Sequence, residues 1–153
     1  MSTKYSKAKN SSTSSGGNAR LKVSVVSFAY SIGLPADAEY DGLDRFVFDC
    51  RALPDPYFEE GLREYSGLDQ PVIDFFKQHK TQIDHFLDAA EAFVRRSIKT
   101  HLGAGGGHLQ VAFGCHGGHH RSVYLAECFA ERLAGTEGVE ADVRHTARQY
   151  WNA

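Results

Sequence analysis

The stretch CHGGHHRS, Cys115 to Ser122, sets a thiol, three imidazoles, a guanidinium and a hydroxyl within eight positions. Gly117 and Gly118 permit a sharp turn and let a ligand approach the backbone closely. Arg121 can donate a bidentate pair of hydrogen bonds to phosphate oxygens, and Ser122 adds a hydroxyl. An apolar strand-like run, HLQVAFG, precedes the stretch, and RSVYLAECFAERLAG follows it with Val123, Ala126, Ala130 and Leu133 on one helical face and Phe129 adjacent. The stretch is therefore a strand-to-helix turn. Such a turn aims backbone N–H groups and the positive end of a helix dipole at one point, which suits a phosphate.

Three chemistries compete for this turn. Cys115, Gly118, Arg121 and Ser122 spell Cys-x-x-Gly-x-x-Arg-Ser, the signature of a cysteine phosphatase. In that reading Cys115 is the nucleophile, Arg121 binds the phosphate and Asp49 or Asp55 is the general acid. Gly114, however, stands where those phosphatases carry His. A second reading gathers His116, His119 and His120, with His108 or Cys115, around a metal, but the spacing matches no recognised zinc pattern. A third is a non-catalytic pocket that uses the same amides and Arg121 and asks nothing of the thiol. Cys115 at a strand end also fits a small buried residue, as do Cys50 and Cys128.

The elements that must position this turn are readable in outline. LKVSVVSFAY and RFVFDCR (Arg45 to Arg51) have strand-like density of Val and Phe, separated by a turn-rich stretch with Gly33, Pro35 and Gly42. In LPDPY, Pro54 and Pro56 forbid regular ladder pairing and force an extended loop. Asp69 offers a helix cap with Pro71 in the first turn. From Thr81, the residues Ile83, Phe86, Leu87, Ala90, Phe93, Val94 and Ile98 recur at helical steps as a core-facing stripe. GAGGGH lacks the Lys-Ser/Thr ending of a nucleotide loop and precedes a strand, so it reads as a flexible connection. The fold class expected is α/β: a single domain with a central mixed or parallel sheet flanked by helices, and ligands beyond the carboxyl ends of the strands.

Composition narrows the function classes. A chain of 153 residues holds one core comfortably, and no apolar run reaches the roughly 18 residues of a membrane span. An odd count of three cysteines without framework spacing, and no secretory leader pattern, fit a reducing, cytoplasmic setting. Residues 1–20 read as a disordered basic arm or an added leader, and 21–153 as the folded domain. The net charge of −2 conceals an asymmetry, since residues 1–22 hold five of the 17 Lys and Arg and none of the 19 acids. From Val23 onward the balance is −7. That charge handicaps binding to a nucleic-acid backbone, which depends on Lys and Arg displacing counterions.

A signature and four further blocks along the chain carry a family resemblance. GCHGGHHRSVYLAE resembles the Gly-Cys-Thr-Gly-Gly-x-His-Arg-Ser-Val signature of the RapZ C-terminal domain (YvcJ) family. FAYSIGLPADAEY is similar to its Phe-x-Tyr-Gly-x-Pro-x-Asp-Ala-Asp segment, and FVFDCRALPDPYF to its Phe-Val-Phe-Asp-Val-Arg-x-Leu-Pro-Asn-Pro segment. LREYSGLDQPVIDFF resembles its Leu-Arg-x-x-Thr-Gly-Leu-Asp-x-Pro-Val helix start, and VRHTAR near the end resembles its Arg-His-Arg. The resemblance implies a regulatory domain that senses glucosamine-6-phosphate and, in some members, binds small RNAs. It implies sugar-phosphate contacts from His116, Gly117 and Arg121, with Tyr57 facing them. The residues themselves extend that ligand set to Gly118, His119, His120, Ser122, Asp49 and Asp55.

His116 replaces the family's Thr, and Tyr57 stands where enterobacterial members have His. There is no Gly-x-x-x-x-Gly-Lys-Ser/Thr motif, so neither nucleotide hydrolysis nor a cofactor is expected. The chain ends ARQYWNA without the basic tail of RNA-binding members. The expected partner is thus a phosphorylated small molecule, with RNA disfavoured by charge, no membrane, an unidentified protein partner and self-association open.

Overall fold

The computed structural model describes residues 20–34 and 44–152. The expected arm, apart from Arg20, and the turn at Pro35 and Gly42 lie outside the described residues. Along the chain come the strands β1 (Leu21–Ala29) and β2 (Asp44–Asp49), the helices α1 (Gln70–Gln78) and α2 (Lys80–Gly103), then β3 (Gly107–Cys115), α3 (Arg121–Leu133) and β4 (Val139–His145). The strands form one sheet in the order β2-β3-β1-β4. Every pairing is parallel, with Val25 opposite Val111 and Val143, and Phe46 opposite Val111.

Parallel pairing constrains where the helices can lie. Each strand must be reached by a crossover, and right-handed crossovers that advance in one direction across a sheet lay their helices on one face. The passages β2 to β3, through α1 and α2, and β3 to β4, through α3, both advance in the same direction. Accordingly Leu21, Val23 and Val25 of β1 join Leu109, Val111 and Phe113 of β3 in one core with Val72, Leu87, Val94, Phe129 and Leu133 from the helices. A smaller cluster of Val26, Phe28 and Ala112, with Tyr30 against it, lies on the opposite face. No helix among the described residues is long and apolar enough to cross a membrane.

Several expectations need correction. Phe93 leaves the helical stripe: it is 66% exposed, while Ile83, Leu87, Ala90, Val94 and Ile98 face the sheet. Asp69 is the N-cap residue of α1, but its carboxylate makes no cap bond to the helix and accepts instead from the Ser66 amide at 2.7 Å. The GAGGGH segment forms a hydrogen-bonded turn between α2 and β3. Gly106 has φ +109°, and a Cβ there would lie 1.9 Å from the Arg20 carbonyl oxygen. The Gly106 and Gly107 amides donate to His101 O and Arg20 O. β4 had no expectation attached to it.

Because all four strands run the same way, their carboxyl ends share one edge of the sheet. From there leave Tyr30, the Cys50–Phe58 loop, the Cys115–Arg121 turn and the segment through Trp151.

Candidate functional site

The turn after β3 is held from three sides. The Tyr30 and Ser31 amides donate to Cys115 O and His116 O, the Gly67 amide donates to His119 O at 2.8 Å, and the Trp151 indole donates to Gly118 O at 2.8 Å. Gly118 takes φ +61°, and a Cβ there would press within 3.0 Å of Ala29 and Ala147. Gly67 is equally constrained, its absent Cβ falling 2.6 Å from His120 O. Those contacts use the carbonyls of the turn and leave its amides alone. Among the described residues, none of the backbone N–H groups from His116 to Val123 has a hydrogen-bond partner. Unpaired amides at the start of a 13-residue helix are an anion-binding arrangement.

A cavity of about 620 Å³ opens against this turn. Its wall takes Cys115, His116, Gly117, His119, His120 and Arg121 from the turn, and Asp55, Tyr57, Phe58 and Arg63 from the segment after β2. The structure thus brings together seven of the ten ligand residues named from the sequence. Gly118 and Ser122 lie behind the wall, buried. Asp49 is drawn aside: Arg51 Nε and Nη2 grip both its oxygens, and this hydrogen bonding holds its carboxyl below the usual range.

Arg121 is more committed than its spacing suggests. Its Nη2 lies 2.9 Å from Asp55 Oδ2, and its Nη1 donates to Arg51 O at 2.7 Å and Leu53 O at 3.4 Å. Asp55 Oδ1 accepts from the Tyr57 amide, so one carboxylate both closes the ion pair and caps the short 3-10 helix Pro56–Phe58. The aromatic loop and the turn are therefore latched to each other at the cavity wall.

The histidines do not converge on a point. His120 Nε2 lies 2.6 Å from Tyr65 O, while His119 stacks on His120 at 4.3 Å and on Trp151 at 5.4 Å. Burial lowers the pKa of both imidazoles below the ordinary 6.5, and their mutual repulsion lowers His119 further. Among the described residues, no group of three or more His, Cys, Asp or Glu could hold a metal.

The phosphatase reading meets three physical obstacles. Cys115 is buried, and its thiol donates to Ser122 Oγ at 3.1 Å. Both acid candidates are spent on arginines. At Gly114, where those enzymes carry His, a Cβ would lie 2.4 Å from the Phe28 ring, so no side chain fits.

Sequence reasoning overlooked Arg63, Phe58 and Trp151. Arg63 donates to Tyr57 O through Nε and lays its guanidinium 4.3 Å from the centre of the Tyr57 ring. Its place beside Pro56–Phe58 on one loop was the available signal. Trp151 had none, because its partner Gly118 is far away along the chain.

Residues 21–149 match the family model described as the RapZ C-terminal domain. The chain belongs to the RapZ C-terminal domain family. A protein named "RNase adapter protein RapZ" from Hamiltonella defensa is 37% identical over 131 residues, covering 84% of this chain and 43% of the relative. Proteins named "Nucleotide-binding protein" from Halorhodospira halophila and Polaromonas naphthalenivorans are each 43% identical, over 119 and 104 residues, covering 77% and 68% of this chain. The chain spans 43%, 39% and 34% of the lengths of these three relatives. Within the RapZ C-terminal domain fold, the cavity sits where parallel α/β sheets place ligands, outside the carboxyl ends of the strands.

Proposed function

We propose that this RapZ C-terminal domain is a regulatory sensor that binds a phosphorylated metabolite, an amino-sugar phosphate such as glucosamine-6-phosphate, in the cavity at the end of β3. The observation that carries the reading is the run of unpaired amides from His116 to Val123 beside an open cavity that also contains a guanidinium and a carboxylate. Phosphate oxygens are matched by the amides and by Arg121. Sugar hydroxyls or an amine are matched by Asp55 and Tyr57, and His116 and Gly117 are exposed at the entrance. Binding here needs no chemical step: the ligand changes what the surrounding loops present to a partner.

RNA or a protein is the proposed recipient of that signal, supported by the name of the Hamiltonella relative. The −7 balance from Val23 onward argues for a protein surface over an RNA backbone.

A thermal-shift titration with glucosamine-6-phosphate tests the reading. A ligand at a hundred times its Kd stabilises by about 2.7 kcal/mol, which for a domain of this size raises Tm by roughly 5–10 °C. An unchanged Tm across glucosamine-6-phosphate, other sugar phosphates and inorganic phosphate at millimolar concentration overturns it.

A further inference from the structure

We propose that Cys50 and Cys115 form a redox-active thiol pair that a hydroperoxide converts to a disulfide, joining the loop after β2 to the turn after β3. This oxidation site does not depend on which ligand the cavity binds.

The sheet register sets the two thiols side by side. Phe46 lies opposite Val111, Phe48 opposite Phe113 and Asp49 opposite Gly114, and the Cys50 amide continues the ladder by donating to Gly114 O at 2.7 Å. Cys50 therefore falls beside Cys115. Alternation along the two strands sends Phe46, Phe48 and Cys50, and likewise Val111, Phe113 and Cys115, to the helix-covered face, where all six meet in one core. Neighbouring strands run about 4.8 Å apart, within the roughly 4.4–6.8 Å between α-carbons that a disulfide bridges. Burial pushes the Cys50 thiol well up, and the next largest influence on it is Cys115, so the two sulfurs are within electrostatic reach of each other.

The two cysteines are not equivalent. Cys115 lines the cavity, whereas Cys50 is fully enclosed. Cys115 is thus the sulfur that a solute meets first, and hydrogen peroxide, with two heavy atoms, is small enough for an opening that is closed to a phosphoryl group. The Cys115 thiolate attacks one peroxide oxygen: an S–O bond forms, the O–O bond breaks, and the hydroxide released takes the proton that the thiol had given up. Sulfur has then lost two electrons to the peroxide. Cys50 next gives up its proton and attacks the Cys115 sulfur, so the S–S bond forms as the S–O bond breaks and the second hydroxide leaves as water. Two thiols and one peroxide become one disulfide and two waters. The bond takes the Cys115 sulfur from its contact with Ser122 Oγ and ties the start of the turn to the start of the loop that carries Asp55 and Tyr57.

Cys128 is an internal control, since it lies in a separate recess with Phe76, Lys77 and Tyr124. The related family segment has Val in place of Cys50, which makes Cys50→Val a substitution of similar volume that the core tolerates. The reduced full chain and its variants are treated with hydrogen peroxide, denatured, alkylated with N-ethylmaleimide and mapped by mass spectrometry. In the parent protein, free thiols are expected to fall from three to one. Cys50 and Cys115 appear in one linked peptide short of two hydrogen masses, Cys128 is alkylated, and dithiothreitol restores all three thiols. Cys50→Val forms no link and leaves Cys115 as a sulfenic acid that dimedone traps, while Cys115→Ser leaves Cys50 unreacted. Recovery of both Cys50 and Cys115 as alkylated thiols after peroxide, or a link that joins Cys128 or two chains instead, overturns the proposal.

Discussion

Two Arg–Asp pairs border the same loop and behave as different objects. Arg51 grips Asp49 through two nitrogens, yet the two side chains are 50% and 46% exposed. Arg121 holds Asp55 through one nitrogen with far less exposure. The first pair spans two residues of chain and stands in water, where screening and side-chain entropy cancel most of its attraction. The second joins distant parts of the chain in a recess, where removal of either member leaves a charge without compensation. Good pairing geometry thus does not identify the pair that matters to the site; burial and sequence separation do.

The largest test of that contrast is Arg121→Ala. It strands Asp55 and takes a donor from the Arg51 carbonyl, and urea unfolding should show a loss of about 3–5 kcal/mol. A loss below about 1 kcal/mol would place this pair in the same class as an exposed one.

Trp151→Phe comes next. It keeps a ring against His119 and removes the indole bond to Gly118 O, which should cost about 1 kcal/mol in the same assay. No change would mean that the turn is held by its amide contacts from Tyr30, Ser31 and Gly67 alone.

A pH series probes the recess in a third way. His119 and His120 have folded-state pKa values below 6.5, so the unfolded chain binds more protons in the window just below that value. Their contribution is fully present above pH 6.5 and is lost as the pH falls from 6.5 through the lowered values. The His119→Gln, His120→Gln double variant should flatten the melting curve's pH dependence in that window; an unchanged slope would assign it to other groups.

Arg51→Ala closes the series with the smallest effect. It should leave the melting temperature and the sugar-phosphate affinity where they were, and a clear drop in either would erase the distinction between the two pairs.

The turn was legible because its geometry is local. Gly117, Gly118, Arg121 and Ser122 lie within six residues, and a strand pattern before them with a helix pattern after them leaves the chain one way to pass between. β4 was not legible, because Val139, Ala141 and Val143 are small and the alternating Glu140, Asp142 and Arg144 resemble a solvated loop. Pairing along β1 makes it a strand. Phe93 was misplaced for the converse reason: periodicity locates a stripe but does not fix its edges, and only the partner surface decides which residue falls outside.

By itself, the sequence determined a parallel-capable α/β pattern, a glycine-hinged turn ahead of a helix and the residue types gathered there, since these depend on spacings of a few residues. Tertiary structure alone decided that Asp55 rather than Asp49 meets Arg121, that Trp151 closes on Gly118, and that Gly114 leaves no room for a side chain. Each of these depends on which strand ends become neighbours. That adjacency is set by the packing of the whole sheet against its helices, and no short window of sequence contains it.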